Sequence, residues 1–224
     1  MNNFFLRQLK KLSREKLMLA FLFFICLWVL FTVVSMVFLD KNTSFDEHIF
    51  IWIRPYINSR NTSILKFISF FGSHYFLVPA NIFLAAAFLF YKNHRKYSLK
   101  IVTISLTSTI VLFSLKEITK RERPLLPVIA NVPGYSFPSG HSFSSLVFFG
   151  MLAYVIFRTI KNNLLKYTLI IGCFSFVLLI GFSRIYLKAH FASDVIAGFC
   201  LGTIWLVLAR WLLIKTETPV DDGL

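Results

Sequence analysis

Long apolar runs, rather than amphipathic alternation, set the pattern of this chain. The stretch 17–39 holds no charged residue, and a helix needs roughly 20 apolar residues to cross a hydrocarbon layer of about 30 Å. Further runs at 75–91, 99–115, 143–157, 167–182 and 192–214 bring the count to six. The pattern therefore predicts an all-α fold: a six-helix transmembrane bundle. Thr103, Ser105, Thr107, Ser108 and Thr109 interrupt the third run. Their hydroxyls can bond back to the helix or across to a neighbour, which places that span inside the bundle. The fourth run is short and suits a helix that begins in an active-site loop.

Connecting segments of unequal length lie between the runs. In the first of them Phe45, Ile49, Ile53 and Tyr56 recur at helical spacing opposite Asp46, Glu47 and Arg54, with Pro55 closing the pattern. This is a short interfacial helix, either at a lipid entrance to a site or as a packed connector. The organisation reads as a basic N-terminus over 1–16, a membrane domain over 17–215 and a polar, disordered tail over 216–224. Gly198 and Gly202 form a small-xxx-small pair in the sixth run, suited to close helix packing, within one chain more than in a dimer. Monomer or weak homodimer is the expected state.

Composition sharpens this picture. Hydrophobic residues make up 57% of the chain and its mean hydropathy is +0.70, above the range of soluble domains. The net charge of +14 could suggest nucleic acid. The basic residues lie between apolar runs, however, where cytoplasmic loops and anionic head groups account for them, so no nucleic-acid partner is expected. With the N-terminus inside, 14 Lys and Arg fall on the cytoplasmic side and 10 on the other. Setting aside Lys116, Arg123 and Arg184 leaves 7 on the far side. The prediction is a multi-pass protein of the cell (inner) membrane with both termini cytoplasmic. The basic stretch before the first run resembles a signal sequence, but that run is too long for one, so an uncleaved signal anchor fits better. Cys26, Cys173 and Cys200 all sit in apolar runs and read as small buried hydrophobes.

Three polar clusters stand at the ends of runs, and the six-span layout puts them all on the extracytoplasmic side. They are Lys116 with Arg123-Pro124, then Pro138-Ser139-Gly140-His141, then Ser183-Arg184 followed by His190 and Asp194. Ionisable groups close to a bilayer core are costly, so their convergence calls for a reason. Phosphoryl transfer supplies one, because it consists mostly of positioning and neutralising three charged oxygens. Lys116, Arg123 and Arg184 offer fixed positive charge. Pro138-Ser139-Gly140 reads as a turn into a helix start, where backbone N–H groups face an anion, Gly140 permits close approach and Ser139 adds a donor. His190 and Asp194 are four apart, so a carboxylate can fix one imidazole nitrogen and leave the other to attack. His141 remains to protonate the leaving oxygen and then to activate water. No carboxylate cluster suits a metal, and no cofactor is expected.

Lys116-x6-Arg123-Pro124, Pro138-Ser139-Gly140-His141 and Ser183-Arg184-x5-His190-x3-Asp194 together match the three-part signature of the type 2 phosphatidic acid phosphatases, and the six-span layout resembles bacterial membrane members of that family. The resemblance implies metal-independent hydrolysis of a lipid phosphate or diphosphate through a phosphohistidine at His190 supported by Asp194. It also implies His141 as acid and Lys116, Arg123, Ser139, Gly140 and Arg184 as phosphate ligands. Ser183 belongs to the motif without a settled role.

Undecaprenyl diphosphate, phosphatidylglycerol phosphate, phosphatidic acid and the phosphates of lipid A are the candidate substrates, with membrane lipids as surroundings. Two other readings compete: phosphotransfer to another lipid on the same intermediate, and a transporter with a phosphate-binding vestibule. The latter gives no reason for a histidine paired with Asp194. Lys120, Arg121 and Lys188 flank the motifs, either to steer an anionic substrate or as solvated charges. His48, His74 and His94 read as structural or solvated.

Overall fold

Asn58, Ser139 and Asn162 each stand one residue before a helix, and their side chains accept hydrogen bonds from Asn61, Ser142 and Leu165 N–H. Such caps satisfy amide donors that a helix start leaves without intrahelical partners. In the computed structural model, which describes residues 14–90, 95–125, 127–129 and 132–214, eight α-helices follow. They are α1 (Arg14–Val34, continued by a π-turn over Ser35–Leu39), α2 (Ser44–Ile53), α3 (Ser59–Phe70), α4 (His74–Phe90), α5 (Arg95–Thr119), α6 (Gly140–Thr159), α7 (Asn163–Tyr186) and α8 (Ala192–Ile214). Among the described residues there is no strand.

Among the described residues six segments are long and apolar enough to cross a membrane: Arg14–Leu39, Ser59–Phe90, Tyr97–Thr119, Gly140–Thr159, Asn163–Tyr186 and Ala192–Trp211. Their outward faces carry Phe21, Phe24, Trp28, Phe83, Phe90 and Ile110, all exposed. A soluble protein could not hold so continuous an apolar surface in water, whereas lipid tails solvate it. The chain is a multi-pass membrane protein.

Helix α6 is the centre of the bundle. It buries Phe143, Leu146, Val147, Phe148, Phe149 and Met151 against α7 and α8. Gly198 and Gly202 turn inward onto it. A Cβ at Gly198 would lie 2.8 Å from the Ser139 carbonyl oxygen, and one at Gly202 would lie 3.0 Å from Leu146 Cδ2. The small-residue pair thus serves packing within the chain. Gly198→Ala is expected to destabilise the fold by roughly 1–3 kcal/mol, because the obstructing atom is backbone and cannot swing away. Gly172 meets nothing within 4 Å, so Gly172→Ala should leave thermal unfolding in detergent unchanged or slightly raised.

The structure refines the sequence pattern at three places. The segment before the second span is itself helical, over Ser59–Phe70. Its Arg60, Asn61, Thr62, Ser63 and Lys66 hide it from any search for apolar runs. The hydroxyls of α5 do bond back to its own carbonyls, and Ser105 Oγ reaches Asn81 Oδ1 across to α4 at 2.7 Å. α5 turns one face outward, with Leu99, Leu106, Ile110 and Phe113 exposed, and buries Ile101, Ser108 and Leu112 on the other. Finally, α2 packs through Asp46 and Ile53, while Phe45 and Tyr56 are exposed. The face it buries is rotated toward the carboxylate that the sequence reading placed on the polar side. His94 and the tail 216–224 lie outside the described residues, as does most of the segment 1–16.

Candidate active site

Lys116 ends α5, Gly140 and His141 begin α6, Arg184 ends α7, and His190 and Asp194 flank the start of α8. All the candidate residues therefore gather at one end of the bundle. The loop between α5 and α6 folds over them. Ser136 N–H donates to Arg121 O at 2.8 Å, tying the two limbs of this loop together, and Val128 N–H donates to Leu187 O at 3.1 Å, docking it on α7. Ser139 N–H donates to Asp194 O at 3.0 Å. This bond joins the second and third motifs through backbone, at the contact that Gly198 makes possible.

Arg123 lies beside His190. Its Nε donates to Gly134 O (2.8 Å), Nη2 to Pro133 O (3.0 Å) and Nη1 to Ala189 O (2.6 Å). Nη1 also stands 3.2 Å from His190 Nε2. A guanidinium has five donors and no acceptor, so Nε2 must be the acceptor and carries a lone pair. The ring proton is then on Nδ1, which faces Asp194 Oδ2 at 3.5 Å and has no nearer partner. Catalytic hydrogen bonds are commonly long before substrate arrives.

Asp194 is fully buried and held from several sides. Oδ2 accepts from Phe191 N–H at 2.9 Å and from Ser136 Oγ, and Oδ1 accepts from Arg121 Nη1 at 2.6 Å. His190 and Asp194 do not share a helical turn, as their spacing suggested. His190 precedes α8, in a bend, and Asp194 sits in its first turn. Burial pushes the His190 imidazole down to about 4, against the pull of Asp194 and with the help of Arg184 and Arg123. Burial also lowers Arg123, with Asp194 opposing.

Lys116 Nζ donates to Tyr135 O at 2.6 Å, and Arg184 Nη1 donates to Ser69 Oγ at 2.6 Å. Arg184 is 4% exposed and its Nε finds no protein acceptor. Among the described residues no carboxylate lies within ion-pair distance of Lys116, Arg123 or Arg184. Three cations thus converge, and among the described residues none of them is paired with a carboxylate. Ser139 caps α6 and accepts from Ser142 Oγ at 2.9 Å, which leaves its own proton to give. The amides of Gly140 and His141 stand at the helix start, where intrahelical acceptors are lacking.

His141, half-buried, lies within electrostatic reach of Arg184, His190 and Arg123. Its ring rests on Gly72, in the turn between α3 and α4, where a Cβ would come within 3.1 Å of His141 Cδ2. Ser183 is buried and donates to Ile180 O at 2.6 Å, a bond within its own helix.

The structure adds residues that the sequence did not single out: Ser69 against Arg184, Ser136 against Asp194, Gly72 against His141, and Asp46 with Ser193 around Arg121. No spacing signal pointed to them, since each acts from another element. Arg121 is neither a steering charge nor a solvated one, because its side chain is 12% exposed and bonded to two carboxylates. Lys120 and Lys188 adopt left-handed backbone, at φ 44° and 49°, and close α5 and α7 through bonds to Lys116 O and Ile185 O.

Comparison with known proteins returns one family. The model described as the PAP2 superfamily matches residues 98–217, a span that contains all three motifs. A phosphatidylglycerophosphatase B of Bacillus subtilis is 29% identical over 161 residues, covering 70% of this chain and 75% of the relative. An undecaprenyl-diphosphatase of Sulfolobus acidocaldarius is 29% identical over 174 residues, 75% of this chain and 77% of the relative. Among solved structures, the crystal structure of a transmembrane PAP2 type phosphatidylglycerolphosphate phosphatase from Bacillus subtilis aligns with a TM-score of 0.79 at 25% identity. It covers 90% of this chain and 98% of that one.

Proposed function

Because the chain belongs to the PAP2 superfamily and is a membrane lipid phosphatase, we propose that it works through a phosphohistidine formed on His190 Nε2, without a metal. One observation carries this reading. The lone pair of Nε2 points to the place where Arg123 is, and half-buried Arg123 joins half-buried Lys116 and buried Arg184 as cations with no carboxylate in ion-pair distance among the described residues. A phosphate group placed there meets charge, donors and a nucleophile together.

In the first step Nε2 attacks phosphorus and the bond from phosphorus to the lipid oxygen breaks. His141 gives its proton to that oxygen as the lipid departs. Asp194 takes up the positive character of the His190 ring through Nδ1–H. In the second step His141 removes a proton from water, the water oxygen attacks phosphorus, the P–N bond breaks and inorganic phosphate leaves. Lys116, Arg123, Arg184, Ser139 and the Gly140 amide hold the equatorial oxygens, whose charge is what must be stabilised.

The substrate class is a phosphate or diphosphate on a membrane lipid. Phosphatidylglycerol phosphate and undecaprenyl diphosphate come first, from the names of the relatives, with phosphatidic acid and lipid A phosphates after them. The site lies on the extracytoplasmic face and both termini on the cytoplasmic one. The excess of lysine and arginine on the side opposite the motifs supports this orientation. Phosphate release by purified protein in detergent, measured over a panel of these lipids, tests the reading. Turnover is expected to persist in excess EDTA. Loss of activity that only a divalent ion restores would overturn the metal-free mechanism.

A further inference from the structure

Arg121 differs from the three cations of the phosphate cradle in being neutralised twice. Nη1 donates to Asp194 Oδ1 at 2.6 Å and to Ser193 Oγ at 2.8 Å, and Nη2 donates to Asp46 Oδ2 at 2.9 Å. The guanidinium carbon lies 4.1 Å over the Phe191 ring, a cation–π contact that fixes its plane. Asp46, on α2, is 1% exposed. Its Oδ1 accepts from Ser193 N–H at 2.9 Å and its Oδ2 from Ser193 Oγ at 2.6 Å. A carboxylate this deep would be expensive without such partners. The result is a buried row, Asp46–Arg121–Asp194, running from α2 through the loop to α8 and ending 3.5 Å from His190 Nδ1.

Resting on the assignment of His190 as nucleophile, we infer that Asp46 and Arg121 are positioning residues. They fix the orientation of Asp194 and set how strongly its charge acts on the His190 ring. Neither belongs to the motifs that hold phosphate. Arg121 is unsuited to that task, because two carboxylates already neutralise its guanidinium and the Phe191 ring covers its face. The row makes the reactivity of the nucleophile depend on where α2 sits.

A merely structural ion pair and a positioning row differ in their effect on the pH profile. Asp46→Asn keeps the shape and removes one negative charge, leaving Arg121 to act on Asp194 alone. The potential at His190 becomes more positive, so the acid limb of kcat/KM should move to lower pH. Arg121→Gln removes a positive charge and leaves two carboxylates, so the same limb should move to higher pH. Each shift is expected to be about half to one pH unit. The other charged and titratable groups near His190 stay as they are in both variants. They are Lys116 on α5, Arg123 on the loop, His141 on α6, Arg184 on α7 and, beyond His141, His74 on α4.

The test uses the full chain in detergent, with phosphatidic acid and farnesyl diphosphate as probes and His190→Gln alongside. Both variants should lower kcat, by up to roughly 100-fold, with KM little changed and the acid limbs displaced in opposite directions. Arg121→Lys should recover only part, since an ammonium cannot span two carboxylates as a guanidinium does. Unmoved limbs, with activity falling only as folded protein is lost, would overturn the inference while an inactive His190→Gln leaves the nucleophile standing. Turnover by His190→Gln would instead remove the nucleophile assignment, and this inference with it. Should Arg121→Gln fail to fold, the direction of the Asp46→Asn limb decides alone.

Discussion

His190→Gln should lose turnover by at least roughly 10⁴-fold while inserting and folding as the parent does. Glutamine is the informative replacement because its amide oxygen can accept the Arg123 N–H that Nε2 accepts at 3.2 Å. The local bonds survive and the nucleophile does not. The parent should carry a matching pH signature. Nε2 attacks only when unprotonated, and burial holds this imidazole down to about 4. The acid limb of kcat/KM, which reports the free enzyme, should therefore lie well below the ordinary histidine range. Stability should follow with the same sign. The unfolded chain takes up the His190 proton near about 6.5, and the folded protein only near 4. The stability present above pH 6.5 is thus lost progressively as pH falls from 6.5 through 4. His190→Gln should lack that part of the decline, which thermal unfolding at a series of pH values reads directly. Near-parental phosphate release by the variant, or an acid limb at or above 6.5 in the parent, would contradict the assignment.

How much of this was legible in the chain depends on what kind of signal each part leaves. Long apolar runs of spanning length marked the six spans, because lipid tolerates no other backbone solution than a helix or a closed barrel. The three motifs marked the end at which chemistry gathers, since charged residues at span ends must be explained by function or by anchoring. The organisation around Asp194 was not legible. Asp46 carries the helical spacing of an exposed polar face, and only the fold shows that Arg121 and Ser193 draw it inward. Arg121 and Arg123 are two residues apart and chemically identical, yet one is neutralised by two carboxylates while the other meets carbonyls and a histidine. Pairing across distant elements decides their roles, and local pattern does not encode it. Helix α3 was missed for the opposite reason: its polar residues made a span segment look like a loop.

Arg184→Met should abolish most activity and yet leave the protein no less stable, a combination that separates a phosphate ligand from a structural arginine. Arg184 is 4% exposed, bonds Ser69 Oγ through Nη1 and leaves Nε buried without an acceptor. A buried cation lacking a counter-ion is a standing cost to the empty protein, and an apolar side chain of similar volume relieves it, by roughly 1 kcal/mol or more. The unfolding temperature in detergent without phosphate should accordingly hold or rise. The loss appears when an anion arrives. Removing a guanidinium from the transferring group should lower kcat/KM by roughly 10³-fold. Inorganic phosphate, which should raise the unfolding temperature of the parent by mass action, should raise that of the variant far less. Arg184→Lys should restore charge without the planar fork and recover part of both effects. A variant that unfolds earlier than the parent yet keeps its response to phosphate would show that Arg184 holds the helix ends together rather than the substrate.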